Sequence, residues 1–236
     1  MKNKKAEKNI ENKKLEKNST GKTIFKIIEI IVLIIVVMLL AHTIKNCIKI
    51  TMLQNNIAKY SNSENYYVHV KTIESSGTKL DIKYYRKGNK QANFLEREYN
   101  GKIFKLNFYN NGERTDMFID NENAKIAKLN AEEFPPIDIY NYTETSSFVE
   151  KLVLSFISNI KLTNYNGKDC YIVKTSYLPL ALNEKGSEYY IDKDTGLCVK
   201  INTQDTTSER EYEFDNVDDS IFTEPDISQY EIRDNK

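Results

Sequence analysis

The sequence predicts an α+β protein: an N-terminal transmembrane helix followed by a mostly antiparallel sheet covered by a helix. Three observations predict it. Ile30–Ala41 is an unbroken run of twelve apolar residues. From Tyr66 onward apolar residues recur with period two, as in strands with one packed and one wet face. Asn-Gly pairs at 100–101, 111–112 and 166–167 separate strand-like runs, where tight hairpins need positive φ.

Composition narrows the classes. Hydrophobic residues make up 40% of the 236 and charged residues 29%, so the chain is neither disordered nor embedded throughout. Lysine plus arginine equals aspartate plus glutamate at 34 each, which excludes a strongly basic nucleic-acid binder. The balance is uneven. Residues 1–44 hold nine lysines against four glutamates, a net +5, leaving −5 for residues 45–236.

Residues 1–22 are almost entirely Lys, Asn and Glu, and are expected to form a disordered basic cytoplasmic tail. Residues 23–44 form the transmembrane helix: Ile24, Phe25, Ile27 and Ile28 extend the apolar run to a spanning length of about 20 residues. Lys26 and Glu29 fall near the inner interface, where charge is tolerated. A cleavable signal is the rival reading, but Ala41-His42-Thr43 is a poor cleavage context and Cys47 lacks the small residues of a lipobox. The positive flank places the N-terminus in the cytoplasm and residues 60–236 outside, as an extracytoplasmic domain on a single-pass anchor.

Ile44, Ile48, Met52, Leu53 and Ile57 keep helical spacing and predict an amphipathic stalk over residues 45–59, its stripe lying on the membrane or against the domain. Strands are then expected at Tyr66–Thr72, Leu80–Tyr84, Gln91–Tyr99, Phe104–Phe108, Arg114–Asp120 and Lys125–Leu129. Phe134-Pro135-Pro136 breaks the pattern. Ser147 and Glu150 have capping-box spacing at the start of a helix over Ser147–Ile160. Its apolar face, including Phe148, Leu152 and Phe156, is expected to turn inward onto the sheet. More strands are expected at Ile160–Tyr165, Cys170–Ser176, Ser187–Ile191, Leu197–Thr203 and Arg210–Phe214. The ending Ile221–Ile227 should cover an edge.

The segment Tyr189-Tyr190-Ile191-Asp192-Lys193-Asp194-Thr195-Gly196-Leu197 resembles the aspartate–turn–glycine–leucine hairpin of the lipoprotein-carrier superfamily, which includes outer-membrane lipoprotein carriers and envelope-stress sensor domains. Arg210–Phe214 and Pro225-Asp226 look similar to small membrane-anchored or lipoprotein relatives in Gram-positive bacteria. The resemblance spans about residues 45–230. It implies a curved, unclosed barrel with helices over its concave side, holding lipid or lipoprotein acyl chains. Phe148, Leu152 and Phe156 would line that ligand space or fill a solid core. The anchor departs from freely diffusing carriers.

Signals for chemistry are weak. Asp192–Gly196 lacks the later ligands of a calcium loop and reads as a hairpin turn. His42 and His69 have no nucleophile or metal constellation around them, and Glu132-Glu133 reads as a solvated connector. Cys170 and Cys198 stay open as a disulfide pair, since a meander puts a strand between them. The 16 tyrosines, Tyr66, Tyr67, Tyr84, Tyr85, Tyr171, Tyr177, Tyr189 and Tyr190 among them, either pack the sheet or line an amphipathic cavity. No catalytic residue, metal ligand or cofactor is expected. The function expected is a non-enzymatic, membrane-anchored binding or sensor protein whose partners are the bilayer and a lipid, lipoprotein or envelope protein. The alternative is a structural subunit of a membrane-associated or cell-surface complex.

Overall fold

A computed structural model describes residues 2–132, 137, 139, 142–175 and 187–233, with side chains from Thr23 onward except that of Thr175. The first helix, α1 (Lys2–Ile57), is continuous from the basic tract through the apolar run into the stalk. The tract expected as a disordered tail therefore has helical backbone. Lys and Glu are good helix formers and join a helix once a neighbouring apolar segment supplies its nucleus, carrying the weaker Asn positions with them. The part from Thr23 to Ile57 is long and apolar enough to cross a membrane.

Six strands follow in a meander: β1 (Asn65–Glu74), β2 (Lys79–Lys87), β3 (Lys90–Tyr99), β4 (Lys102–Asn110), β5 (Thr115–Asn121) and β6 (Ala124–Lys128). The short helix α2 (Phe148–Ile157) leads into β7 (Ser158–Tyr165), β8 (Lys168–Thr175), β9 (Glu188–Asp192), β10 (Cys198–Asn202) and β11 (Thr206–Phe214). Two 3-10 turns, Asp219–Phe222 and Ile227–Gln229, precede β12 (Glu231–Ile232). The strands form one open sheet in the order β12-β6-β5-β4-β3-β2-β1-β11-β10-β9-β8-β7. Every neighbouring pair is antiparallel except β12 with β6. The α+β architecture with an unclosed, helix-covered sheet is thus as expected. The break at Phe134-Pro135-Pro136 lies outside the described residues, as do Glu133 and Tyr177.

Asn100-Gly101 and Asn166-Gly167 take positive φ at both residues, the geometry that matches strand twist in two-residue hairpins. Asn111-Gly112 differs. The loop there is longer, and the Asn111 carboxamide oxygen accepts the N–H groups of Glu113 and Arg114 instead.

Register sorts side chains onto two faces. On the inner face Val68 lies opposite Tyr84 and Tyr212, and Tyr66 opposite Phe214. Farther along this face Ile160, Val173 and Ile191 pack with Ile50 and Leu53 of α1. The stalk therefore docks on the domain, and it does so through Ile50, Leu53 and Ile57, while Ile44 and Ile48 stay 60% and 65% exposed. The outer face carries a second core of Ala92, Tyr109, Phe118 and Ala127, which Ile221, Phe222 and Tyr230 cover. The C-terminal segment thus covers one sheet face and, through β12, the β6 edge.

Candidate functional site

The sheet comes apart between β10 and β11. Their ladder holds only from Lys200–Glu209 to Asn202–Thr207. The β9–β10 register shifts between Cys198 and Lys200, where the β10–β11 ladder also stops. Beyond it β11 stays paired only with β1, from Arg210 to Phe214. The Tyr212 hydroxyl spans the split and donates to the Cys198 carbonyl at 3.1 Å.

A cleft of about 400 Å³ opens at this split. Leu197, Val199, Tyr212 and Phe214 form its apolar wall, with Tyr60 from the chain just after α1. Tyr60 and Phe214 meet with ring centroids 4.6 Å apart. Lys168 and Arg210 bring positive charge, and Asp192 and Glu211 negative charge. Tyr165 closes one side, its hydroxyl donating to Glu209 at 2.6 Å. The volume lies in the range of small-molecule sites, and the mixture of rings and ions suits a molecule with both an apolar and a polar part.

Burial pushes the Tyr212 phenol up to about 12, against the opposing pull of Arg210. Burial and then the Glu209 carboxylate do the same for Tyr165. The Tyr165 hydroxyl in turn holds Glu209 below the usual carboxylate range. Burial also raises the Cys198 thiol to about 11 and raises Cys170, so both are protonated thiols at neutral pH. All three cysteines are free; β9 separates Cys170 from Cys198 in the sheet.

The Asp192–Gly196 segment is a hairpin turn. The Asp192 carboxylate accepts the N–H groups of Asp194 and Thr195 at 2.9 and 3.1 Å, and Gly196 N–H closes onto the Asp192 carbonyl at 2.8 Å. Among the described residues no group of three or more His, Cys, Asp or Glu is placed to hold a metal ion. His42 donates to the Ser158 carbonyl at 3.0 Å. His69 donates to Asp81 at 2.9 Å, and its Nδ1 lies 3.6 Å from the carboxylate of the cleft residue Glu211. Glu132 is exposed.

The residues expected to line a ligand space or core are not at the cleft. Phe148, Leu152 and Phe156 lie on α2 and are 69%, 37% and 38% exposed. Ser147 caps the helix as expected, accepting Glu150 N–H, but the Glu150 carboxylate turns to the backbone and hydroxyl of Ser146. The helix stops at Ile157, and Ser158 is already extended. Its inward side is Ser155, with Leu154 against the core. Asn46, itself buried in α1, donates to the carbonyls of Ser155 and Ser158 at 3.0 and 2.6 Å. A small residue and two carbonyls set that interface, so the apolar stripe faces out. Of the cleft residues, Tyr60 and Lys168 belong to no sequence signal, and Arg210 and Tyr212 are expected only as part of the Arg210–Phe214 strand. The only sequence signal is the alternation Arg210, Tyr212, Phe214 against Glu209, Glu211, Glu213.

No family model matches the sequence, and no curated protein matches it. Solved structures do. The structure of MucB in complex with MucA(peri) aligns at 10% identity over 72% of this chain, with a TM-score of 0.30. The match spans 57% of that chain. A putative outer membrane lipoprotein-sorting protein domain from Vibrio parahaemolyticus aligns at 12% identity over 74% of this chain and 95% of that one, with a TM-score of 0.27. A LolA superfamily protein from Nitrosomonas europaea gives 8% identity, 74% and 96% coverage and a TM-score of 0.24. None of these three is described as a membrane-anchored Gram-positive form.

Proposed function

We propose that the chain is a single-pass, membrane-anchored binding or sensor protein, with its N-terminus cytoplasmic and its sheet domain outside. Its ligand is a lipid, a lipoprotein or an envelope protein presenting an amphipathic segment. The observation that carries this reading is the cleft between β10 and β11, with its aromatic wall and its Lys168 and Arg210 cations. It belongs to a domain that α1 ties to the membrane, so a ligand held there is drawn from the bilayer or its surface. The hairpin resemblance of residues 189–197 supports the same ligand class.

The structural-subunit reading rests on a different feature. β7 is an edge strand, and Leu162 on it is 59% exposed, which suits pairing with another chain. Native mass spectrometry of the full chain, extracted from its own membrane under non-denaturing conditions, separates the two. A co-purifying lipid, lipidated molecule or envelope protein that is lost when Val199→Trp fills the cleft is expected; a stoichiometric protein assembly free of lipid and unchanged by Val199→Trp would overturn the binding reading in favour of the subunit.

A further inference from the structure

We propose that the C-terminal half of the outward face of α2 is seated in the headgroup layer of the same bilayer that α1 crosses, so that the domain rests on the membrane beside its anchor. This rests on the reading of α1 as a membrane span. On the ten-residue α2 only Ser155 is buried, whereas Phe148, Val149, Leu152, Val153 and Phe156 are all exposed. In a water-soluble domain such a concentrated apolar face wants a cover.

The position of α2 identifies that cover. Its C-terminal end is fixed to His42 and Asn46, one and five residues after Ala41, where the unbroken apolar run ends. Lys151, nearer its N-terminus, reaches Thr51, so α2 runs antiparallel along the flank of α1. At about 1.5 Å per residue, Asn46 stands about 7 Å beyond Ala41. The headgroup layer on each side of the hydrocarbon is about 5–7 Å thick, and apolar faces of interfacial helices sink about 5–10 Å into it. Phe156, beside the Asn46 contact, therefore falls at headgroup depth, and Leu152 and Val153 stand about 5 Å farther out. Leu152 and Val153 reach that layer when α1 tilts toward α2, as spanning helices tilt by about 20° on average, while Phe148 and Val149, about a turn farther along α2, stay above it.

Two further features continue the surface. Ile44 and Ile48 are exposed on α1 at the same height, turned away from the buried Asn46, Ile50 and Leu53. Lys45 and Lys161 are exposed nearby in the chain, cations suited to anionic headgroups. A protein partner at this height would have to displace the lipid already surrounding the span.

The sequence contains no tryptophan, so one engineered residue gives an unmixed fluorescence signal. Full-length Phe156→Trp is reconstituted into vesicles of phosphatidylcholine and phosphatidylglycerol carrying nitroxide labels either near the headgroup or deep in the acyl chain. Leu33→Trp, in the middle of the apolar run, reports on the span. Asp194→Trp, on the exposed turn beside Ile57, reports on the distant end of the domain. Phe156→Trp is expected to emit to the blue of Asp194→Trp and to lose about half its intensity to the shallow label, with Asp194→Trp unaffected. Water-like, unquenched emission from Phe156→Trp, or blue-shifted emission that no lipid label quenches, would overturn the proposal; the latter would assign the face to protein. Failure of the deep label to quench Leu33→Trp would instead overturn the membrane span itself.

Discussion

Gly196 lies against Leu53: a Cβ built on it would come within 2.5 Å of the Leu53 carbonyl oxygen and 2.8 Å of the Ile57 nitrogen. Its φ of +75° is also one that residues with side chains seldom adopt. The Asp192–Gly196 hairpin is thus the surface on which α1 ends, with Asn56 donating to the Lys193 carbonyl at 3.0 Å beside it. The glycine is required by the turn and again by the helix.

Gly196→Ala should therefore destabilise the domain by about 2–4 kcal/mol, combining left-handed backbone strain with displacement of helix backbone. Urea denaturation of the detergent-solubilised full chain, followed by the near-ultraviolet signal of the tyrosines, measures this. A loss below about 0.5 kcal/mol would show that α1 does not dock on this turn.

Leu53 is fully buried between α1 and the sheet, whereas Phe156 is 38% exposed. Leu53→Ala should cost about 2–5 kcal/mol and Phe156→Ala less than about 1 kcal/mol in detergent. A chain beginning at Tyr60, which lacks Ile50, Leu53 and Ile57, should unfold at lower urea than one beginning at His42. Equal stability of the two chains would remove the stalk from the core.

The strands were legible because burial on one sheet face imposes period two, and the observed limits differ from the expected ones by only a few residues. The docking of α2 was not. An amphipathic stripe records that a face leaves water without naming what receives it, and in a tethered domain both the core and the lipid can receive it. The contact that decides the matter is polar, Asn46 to Ser155 and Ser158, and it joins residues more than a hundred positions apart. The cleft was hidden for a similar reason. It opens where the β10–β11 ladder stops at Lys200 and the β9–β10 register shifts, and no local motif marks that event.

Tyr165→Phe should alter both ends of the pH profile. In the folded chain Tyr165 is raised to about 12, so its contribution is present below the ordinary tyrosine pKa of about 10 and is lost as pH rises through 12. Glu209 is depressed, chiefly by the Tyr165 hydroxyl, so its contribution is present above about pH 4.3 and lost as pH falls through the lower folded value. The variant should lose less stability on both limbs. Denaturation midpoints between pH 3 and pH 12 check it, and an unchanged profile would dismiss the Tyr165–Glu209 pair as an energetic contact.

Cysteine labelling tests the orientation. In a background with Cys47, Cys170 and Cys198 replaced by serine or alanine, a cysteine at Asn9 should react with a membrane-impermeant maleimide only after lysis. One at Asp194 should react in intact cells. The reverse pattern would invert the topology and, with it, the source of the ligand.

The most direct measurement of the central claim is the bound-lipid content of the wild-type chain against Val199→Trp, which fills the cleft from the register-shifted segment of β10. Both are purified from native membranes in the same mild detergent, matched for melting temperature to within about 3 °C, and analysed by native mass spectrometry. Retained lipid or lipidated ligand on the wild type, reduced at least about five-fold in Val199→Trp, is the predicted result. Equal retention by two equally stable proteins, or no bound molecule on the wild type, would contradict a ligand site between β10 and β11.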